Sequence, residues 1–131
     1  MLNSIFNRTR DIVLKQLLNE FEVDYCTILI VHKSKFKVFS SNVANKYHKD
    51  LEEYVSLITS SLEFEAQIRT SKTNLSYAKD RSVQYCFLIP YVADNKIKAA
   101  ILLENIEIRD MAYDEKSIFK KAIESLVSLI H

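Results

Sequence analysis

Apolar and polar residues alternate along the chain with two different periods, one typical of helices and one typical of strands. Apolar side chains recur every three or four residues from about Ser4 to Glu20 and again from about Ala44 to Leu62, which predicts two helices that each bury one face. The same period returns from Asp114 to Ile130, where Asp114 is a suitable N-cap residue. We therefore expect a helix at each end of the domain and one in the middle.

The segments between these helices have the composition of strands and loops. Tyr25 to His32 is apolar and β-branched, and an apolar segment from Phe36 to Phe39 follows the polar residues 33–35, which predicts a β-hairpin. The stretch from Glu63 to Lys72 has no clear period and predicts irregular structure. A short strand is expected after it, around Asn74 to Ala78.

The longest apolar pattern lies between Ser82 and Asn105. Two apolar segments surround the polar residues 93–96, which predicts a second, longer hairpin, and Pro90 lies near the end of its first strand. Both strands are apolar at consecutive positions, so both of their faces must be covered. We expect the fold class α/β (α+β), as a three-layer α/β/α sandwich. Its central antiparallel sheet of about five to six strands has the N- and C-terminal helices on one face and the middle helix on the other.

Composition and charge restrict the class of protein. With 131 residues, 48% apolar and 27% charged, the chain has the size and composition of one globular domain that covers residues 1–131. A formal net charge of +1 provides no overall field to attract nucleic acid or an anionic membrane, so we expect neither as a partner. No apolar run approaches the roughly 20 residues that span a bilayer. The first residues lack the features of a signal peptide, and we expect a cytoplasmic protein.

The chain contains no glycine. Phosphate-binding loops, dinucleotide-binding fingerprints and the glycine-rich loops of kinases need glycine, because their backbone approaches phosphate closely or adopts positive φ angles. These classes of nucleotide site are therefore excluded, and the turns must be built from residues such as Asn, Asp and Ser.

Few residues are arranged for catalysis or metal binding. Cys26 and Cys86 lie inside apolar strands, where a free cysteine is usually a small buried side chain. A catalytic thiol would need His32 or His48 beside it, and no motif supports that pairing. No Cys-x-x-Cys or His-x-x-x-His pair is present, so we expect no metal and no cofactor. We expect a protein that is not an enzyme, with a small thiol enzyme as the weaker alternative.

Lysine alternates with other residues around the first predicted turn. Lys33, Lys35 and Lys37, with His32, form a basic hairpin end that is able to meet phosphate or an acidic partner. The same alternation also places charge on the solvent side of an edge strand, where it prevents aggregation. We favour this second interpretation.

Aromatic residues are frequent in the middle of the chain. Tyrosines of this kind are usually core residues with a solvated hydroxyl, but they are also able to line a cavity between the middle helix and the sheet. The residues expected to line such a ligand site are Tyr47, Tyr54, Ile58, Tyr77, Tyr85 and Phe87.

The last predicted helix is apolar over more than the single face that packs on a sheet. Such a surplus is most simply buried against a second subunit, through the paired first and last helices. We therefore expect a homodimer whose interface contains Phe6, Val13, Leu17, Phe119, Ile123, Leu126 and Ile130.

The order of several motifs resembles that of a GAF domain. Ile68 to Ala78 resembles the Arg-Thr-Gly-x-Pro turn and strand that precede the core hairpin of GAF domains. Ser82 to Tyr91 resembles their strand with an internal proline, and Ile97 to Asn105 resembles the next strand, which often ends Leu-Glu-Asn. Residues 113–115 resemble the start of the terminal helix, and Leu14 to Val31 resembles the first helix and strand, so the resemblance covers most of the chain.

Some positions depart from the family pattern. Ser71 and Asn74 stand where GAF domains usually have glycine and proline, and Ala99 stands where they usually have a strand glycine, which favours a compact or collapsed pocket. The resemblance implies a fold that binds cyclic nucleotides, bilins, haem or other small molecules in some members and only dimerises in others. The Asn-Lys-Phe-Asp-Glu signature of cyclic-nucleotide-binding members is absent, as is the cysteine and Asp-Ile-Pro context of bilin attachment.

The residues and the resemblance together imply a GAF-like regulatory or sensory domain with a fold of the GAF/PAS type. It is expected to dimerise through its terminal helices, to bind a small molecule as an optional ligand, and to act on a downstream signalling protein or domain. A ligand-free interaction domain of roadblock or longin type, with the same order of helices and strands at a similar length, is the alternative.

Overall fold

The structure is a computed structural model that describes residues 12–19, 23–60, 69–72, 83, 85–105, 120 and 122–127. Its strands are β1 (Tyr25–His32), β2 (Lys35–Ser41), β3 (Arg69–Lys72), β4 (Tyr85–Ala93) and β5 (Lys96–Glu104). Helical residues 12–19 are named α1, the helix His48–Ser60 is α2, and helical residues 122–127 are α3; a short 3-10 helix, Asn45–Tyr47, precedes α2. No helix in these ranges is long and apolar enough to cross a membrane.

The five described strands form one antiparallel sheet in the order β2-β1-β5-β4-β3. Strand β5 lies in the centre because it pairs with β1 on one side and with β4 on the other, so that Ile101 lies opposite both Ile28 and Ile89. Pairing on both sides satisfies the backbone polar groups of these apolar strands, which are buried from water. The expected mixed α/β fold with an antiparallel sheet and helices is confirmed.

Both hairpins close without glycine. The β1–β2 turn consists of Lys33 and Ser34, with φ angles of 51° and 65°, and the β4–β5 turn consists of Asp94 and Asn95, with φ angles of 54° and 59°. Two successive residues of positive φ are the geometry of the two-residue turn that matches the twist of a hairpin. Asn and Asp adopt it readily, whereas Lys33 and Ser34 adopt it at a cost. The sequence predicted both turns.

Two separate groups of buried apolar side chains lie against the sheet. One group, called the α1/α3 cluster, contains Val13, Leu17, Cys26, Ile28, Phe87, Ile89, Ala99, Ile101, Leu103, Ala122 and Leu126. The other, called the α2 cluster, contains Leu29, Phe36, Val43, Leu51, Val55, Cys86, Leu88, Ala100 and Leu102. Successive residues of β5 alternate between the two clusters, because side chains of a strand point to opposite faces in turn.

Two boundaries differ from the sequence prediction. Strand β3 occupies Arg69–Lys72, inside the stretch that was expected to be irregular, and the expected strand at residues 74–78 lies outside the described residues. The four polar residues of β3 show no apolar alternation, and pairing with β4 orders them instead. The middle helix was expected from residue 44, but α2 begins at His48, whose Nε2 lies 2.8 Å from the Val43 carbonyl oxygen.

Candidate functional site

Helix α2 brings aromatic side chains to one face of the sheet. Tyr47, Tyr54 and Ile58 are partly buried against the α2 cluster, and Tyr25 at the start of β1 packs against the same cluster. Leu51 and Val55 of α2 are fully buried, one helical turn apart, and hold the helix on the sheet. This spacing turns Tyr54 and Ile58, also four residues apart, toward the same side of the helix.

A buried carboxylate lies on the same face of the sheet. Glu104, the last residue of β5, is fully buried and lies opposite Tyr25 of β1 and Cys86 of β4. Residues directly opposite in an antiparallel pair carry their side chains on one face, about 5 Å apart at Cβ. Because Tyr25 and Cys86 belong to the α2 face, the Glu104 side chain belongs to it as well.

The Tyr54 hydroxyl connects α2 to this part of the sheet. Its oxygen lies 3.4 Å from the Cys86 Sγ atom, and either group is able to donate the hydrogen bond. Tyr25, Tyr54, Cys86 and Glu104 therefore form one group of polar and aromatic side chains between α2 and the sheet, called here the polar cluster. It contains a carboxyl, a thiol and phenol hydroxyls, which are groups able to donate and accept hydrogen bonds.

Cys26 lies close to the polar cluster in the sheet but faces the α1/α3 cluster. Burial, and to a smaller extent the nearby charge of Glu104, raises the pKa of the Cys26 thiol to about 12. The thiolate is the nucleophilic form of cysteine, so Cys26 stays protonated and unreactive near neutral pH. The structure thus gives Cys26 the properties of a core side chain, as the sequence predicted.

Polar side chains join the ends of three strands beside Glu104. The Asn42 Oδ1 atom accepts a hydrogen bond of 2.8 Å from the Cys26 backbone N–H, and the Asn42 amide donates one of 2.9 Å to the Asp24 carbonyl oxygen. The Asn105 amide donates a hydrogen bond of 3.1 Å to the Asp24 carboxylate. Asn105 has a φ angle of 57°, which asparagine tolerates better than most residues. This network gives a structural reason for the Asn that follows Leu103 and Glu104.

The structure brings together some of the residues expected to line a ligand site. Tyr47, Tyr54 and Ile58 lie on the α2 face, while Tyr77 and the side chain of Tyr85 lie outside the described residues. Phe87 was expected on the α2 face and is instead buried in the α1/α3 cluster. The expectation for Phe87 was wrong because strand alternation gives the α2 face to its neighbours on either side.

Sequence reasoning did not select Tyr25 or Glu104 for this site. A charged residue at the end of an otherwise apolar strand was the available signal for Glu104. No local signal identified Tyr25, because its position beside Glu104 depends on pairing between β1 and β5, which lie more than 60 residues apart in the chain. The described residues contain no group of three or more His, Cys, Asp or Glu side chains placed to hold a metal ion.

Several residues expected at a dimer interface belong to the core of a single chain. Val13, Leu17 and Leu126 are buried in the α1/α3 cluster and have no surface left for a second subunit, which corrects that prediction for these three residues. Ile123 is partly exposed, and Phe6, Phe119 and Ile130 lie outside the described residues. The reason is that α1 and α3 pack on the sheet through the apolar positions that the sequence assigned to a partner.

No protein-family profile matches the chain, and no curated protein sequence matches it. Solved structures with a similar fold do exist. The GAF domain/HD domain protein from Geobacter sulfurreducens has a TM-score of 0.67 and 10% identity, over 96% of this chain and 92% of that one.

Two further structures show the same likeness. The GAF domain of a two-component sensor histidine kinase from Bacillus halodurans has a TM-score of 0.57 and 11% identity, over 92% of each chain. The GAF domain from Acinetobacter phosphoenolpyruvate-protein phosphotransferase has a TM-score of 0.60 and 12% identity, over 100% of this chain and 93% of that one. Identities this low establish the fold and nothing finer. The chain has the fold of GAF domains, as its motifs predicted.

Proposed function

We propose that this chain is a GAF-like regulatory or sensory domain that binds a small polar molecule between α2 and the sheet. The polar cluster is the observation that carries the proposal. Within the described residues every buried side-chain N or O atom has a hydrogen-bond partner, so this face holds an already ordered set of polar groups among apolar side chains. Glu104, Tyr25 and Tyr54 stand together on this face of the sheet, and GAF domains of sensor kinases are among the structures with the same fold.

A thermal-shift screen with nucleotides and polar metabolites tests ligand binding. A ligand present at about 100 times its dissociation constant adds about 2.7 kcal/mol to the free energy of unfolding, which raises Tm by several degrees. Tyr54→Phe should reduce the shift, because it removes a hydroxyl of the polar cluster. Tyr91→Phe is the matched control, since Tyr91 packs against the α1/α3 cluster. An equal ligand-induced Tm shift in both variants would contradict the site. Absence of any Tm shift across the panel would favour the alternative, a ligand-free interaction domain of roadblock or longin type.

The proposal includes a homodimer through the terminal helices. Ile12 of α1 is an apolar side chain that remains 59% exposed, and Ile123 of α3 is partly exposed. Ile123, Phe6, Phe119 and Ile130 are the remaining candidates from the sequence prediction, and Ile12 is added because of its exposure. We infer that α1 and α3 cover one face of the sheet and α2 the other, because they contribute to separate apolar clusters. In this three-layer arrangement, a dimer through the terminal helices is able to transmit a conformational bias to a downstream signalling protein or domain.

Light scattering over a range of concentrations tests the dimer. Ile12→Glu should dissociate it, because a charge in an apolar interface is costly. Leu57→Glu is the control, since Leu57 on α2 is also apolar and 71% exposed but lies away from the terminal helices. A monomer at all concentrations, or dissociation by both variants, would reject this interface.

The proposal assigns a regulatory and not a catalytic role. Cys26 is held protonated, and both described cysteines are buried thiols outside any disulfide, as is usual for proteins of a reducing compartment such as the cytoplasm. Alkylation at neutral pH tests this part of the proposal. Slow reaction of both thiols in the folded protein is expected, and rapid reaction of either would favour the thiol enzyme.

A further inference from the structure

Five exposed lysines lie at one end of the sheet. Lys33, Lys35 and Lys37 belong to the β1–β2 turn and to β2, and Lys96 and Lys98 belong to β5 just after the β4–β5 turn. Strand β1 pairs with β5 so that both turns lie at the same end of the sheet, side by side. The two turns span four adjacent strands, a width of about 15 Å. These five lysines are called the basic end.

Protection of an edge strand accounts for only part of the basic end. Strand β2 is an edge strand of the described sheet, and lysines on it are expected to prevent pairing with another chain. Strand β5 is central and has no free edge, so this reason does not apply to Lys96 and Lys98. The described carboxylates nearby are Asp94 in the turn and Glu52, whose Oε2 accepts a hydrogen bond of 2.9 Å from the Val38 backbone N–H. Among the described residues, the basic end therefore has a local excess of positive charge, although the net charge of the chain is only +1.

We propose that the basic end binds the surface of an anionic lipid membrane. Every cation of the basic end is a lysine, whose ammonium group is strongly hydrated. Arginine, in contrast, predominates in protein interfaces that exclude water and in nucleic-acid recognition. Two turns that project from one end of a sheet are able to touch a flat surface at the same time. The turn residues are polar, so the contact is electrostatic and requires no insertion into the hydrocarbon. The proposal departs from the expectation, drawn from net charge alone, that no membrane is a partner.

Co-sedimentation of the full chain with lipid vesicles tests the proposal. The wild type should bind vesicles of phosphatidylcholine and phosphatidylserine, should not bind vesicles of phosphatidylcholine alone, and should be released when the ionic strength is raised. Each lysine near an anionic surface strengthens binding by about fivefold. A variant with Lys33→Gln, Lys35→Gln, Lys96→Gln and Lys98→Gln should therefore bind more than tenfold more weakly.

The control variant changes the same number of lysines elsewhere. Lys15→Gln, Lys46→Gln, Lys49→Gln and Lys120→Gln alter exposed lysines outside the basic end and give the same net charge. This variant should bind within about twofold of the wild type if position decides binding. Equal weakening of both variants would assign binding to net charge and overturn the proposal. Absence of wild-type binding, or tighter binding to duplex RNA than to vesicles at equal phosphate concentration, would also overturn it.

Discussion

The two faces of the sheet differ in chemistry although both are buried. On the α1/α3 face, Leu17, Ile89 and Leu126 belong to a cluster of buried apolar side chains. On the α2 face, the fully buried carboxyl of Glu104 and the hydroxyl of the partly buried Tyr54 lie beside buried apolar side chains. An apolar face gains free energy from every contact, whereas buried polar groups must first recover the cost of losing water. The α1/α3 face is therefore the stabilising face, and the α2 face carries the groups from which function is expected.

The largest expected effect comes from a substitution that creates a cavity on the stabilising face and lowers the free energy of unfolding. Leu17→Ala should lower the free energy of unfolding by about 2–5 kcal/mol, because Leu17 is fully buried and its removal leaves a cavity. Denaturant unfolding measures the loss. Leu57→Ala, at an exposed position of α2, should change stability by less than about 0.5 kcal/mol. A loss at Leu17 as small as at Leu57 would show that the α1/α3 face does not hold the fold together.

The pH dependence of stability reports burial of Cys26. The folded-state pKa of about 12 lies above the ordinary value of 9.0, so above pH 9 the unfolded chain releases a proton that the folded chain retains. The free energy of unfolding should therefore fall as pH rises from 9 to 12, by at most about 1.4 kcal/mol per pH unit for this one group. Cys26→Ala should make this slope shallower, whatever its effect on stability at neutral pH. An identical slope in the variant and the wild type would contradict the burial of the thiol.

Replacement of Glu104 tests whether a charge on the α2 face changes the pKa of a thiol on the α1/α3 face. The charge of Glu104 raises the pKa of Cys26, although burial is the larger cause. In a Cys86→Ala background, Glu104→Gln should lower the Cys26 pKa, which should still remain above its ordinary value. The pH profile of alkylation measures it. Glu53→Gln, at an exposed carboxylate of α2, should leave the profile unchanged, and an equal effect of both variants would argue against a specific interaction.

The smallest expected effect concerns the hydroxyl of Tyr54. Tyr54→Phe should lower the free energy of unfolding by about 1 kcal/mol or less, because it removes one hydrogen bond to a sulfur atom. Chemical denaturation beside Tyr91→Phe gives the comparison between the two faces. A loss of several kcal/mol would mean that Tyr54 is mainly a structural residue of the α2 face, which would weaken its assignment to a ligand site.

Local patterns predicted most strands of the sheet but not which side chains lie on each of its faces. The first strand, Tyr25–His32, follows from its apolar, β-branched composition, and both hairpin turns follow from turn chemistry within a few residues. Strand Arg69–Lys72 was not predicted, because its polar residues are ordered by β4 and not by their own pattern. Phe87 was placed on the wrong face, since a strand that is apolar at every position does not indicate which side each residue takes.

The sequence by itself determined the mixed α/β class and the two hairpins. It also determined the absence of glycine-dependent nucleotide sites and the resemblance to GAF domains. Each of these properties depends on residues that are close together in the chain. The tertiary structure decided which residues meet. Pairing of β1 with β5 brings Tyr25 beside Glu104 and sets the two hairpin turns of the basic end side by side. Packing of α1 and α3 buries Val13 and Leu17 within one chain. These contacts arise from strand register and packing over long separations in sequence, which no local period encodes.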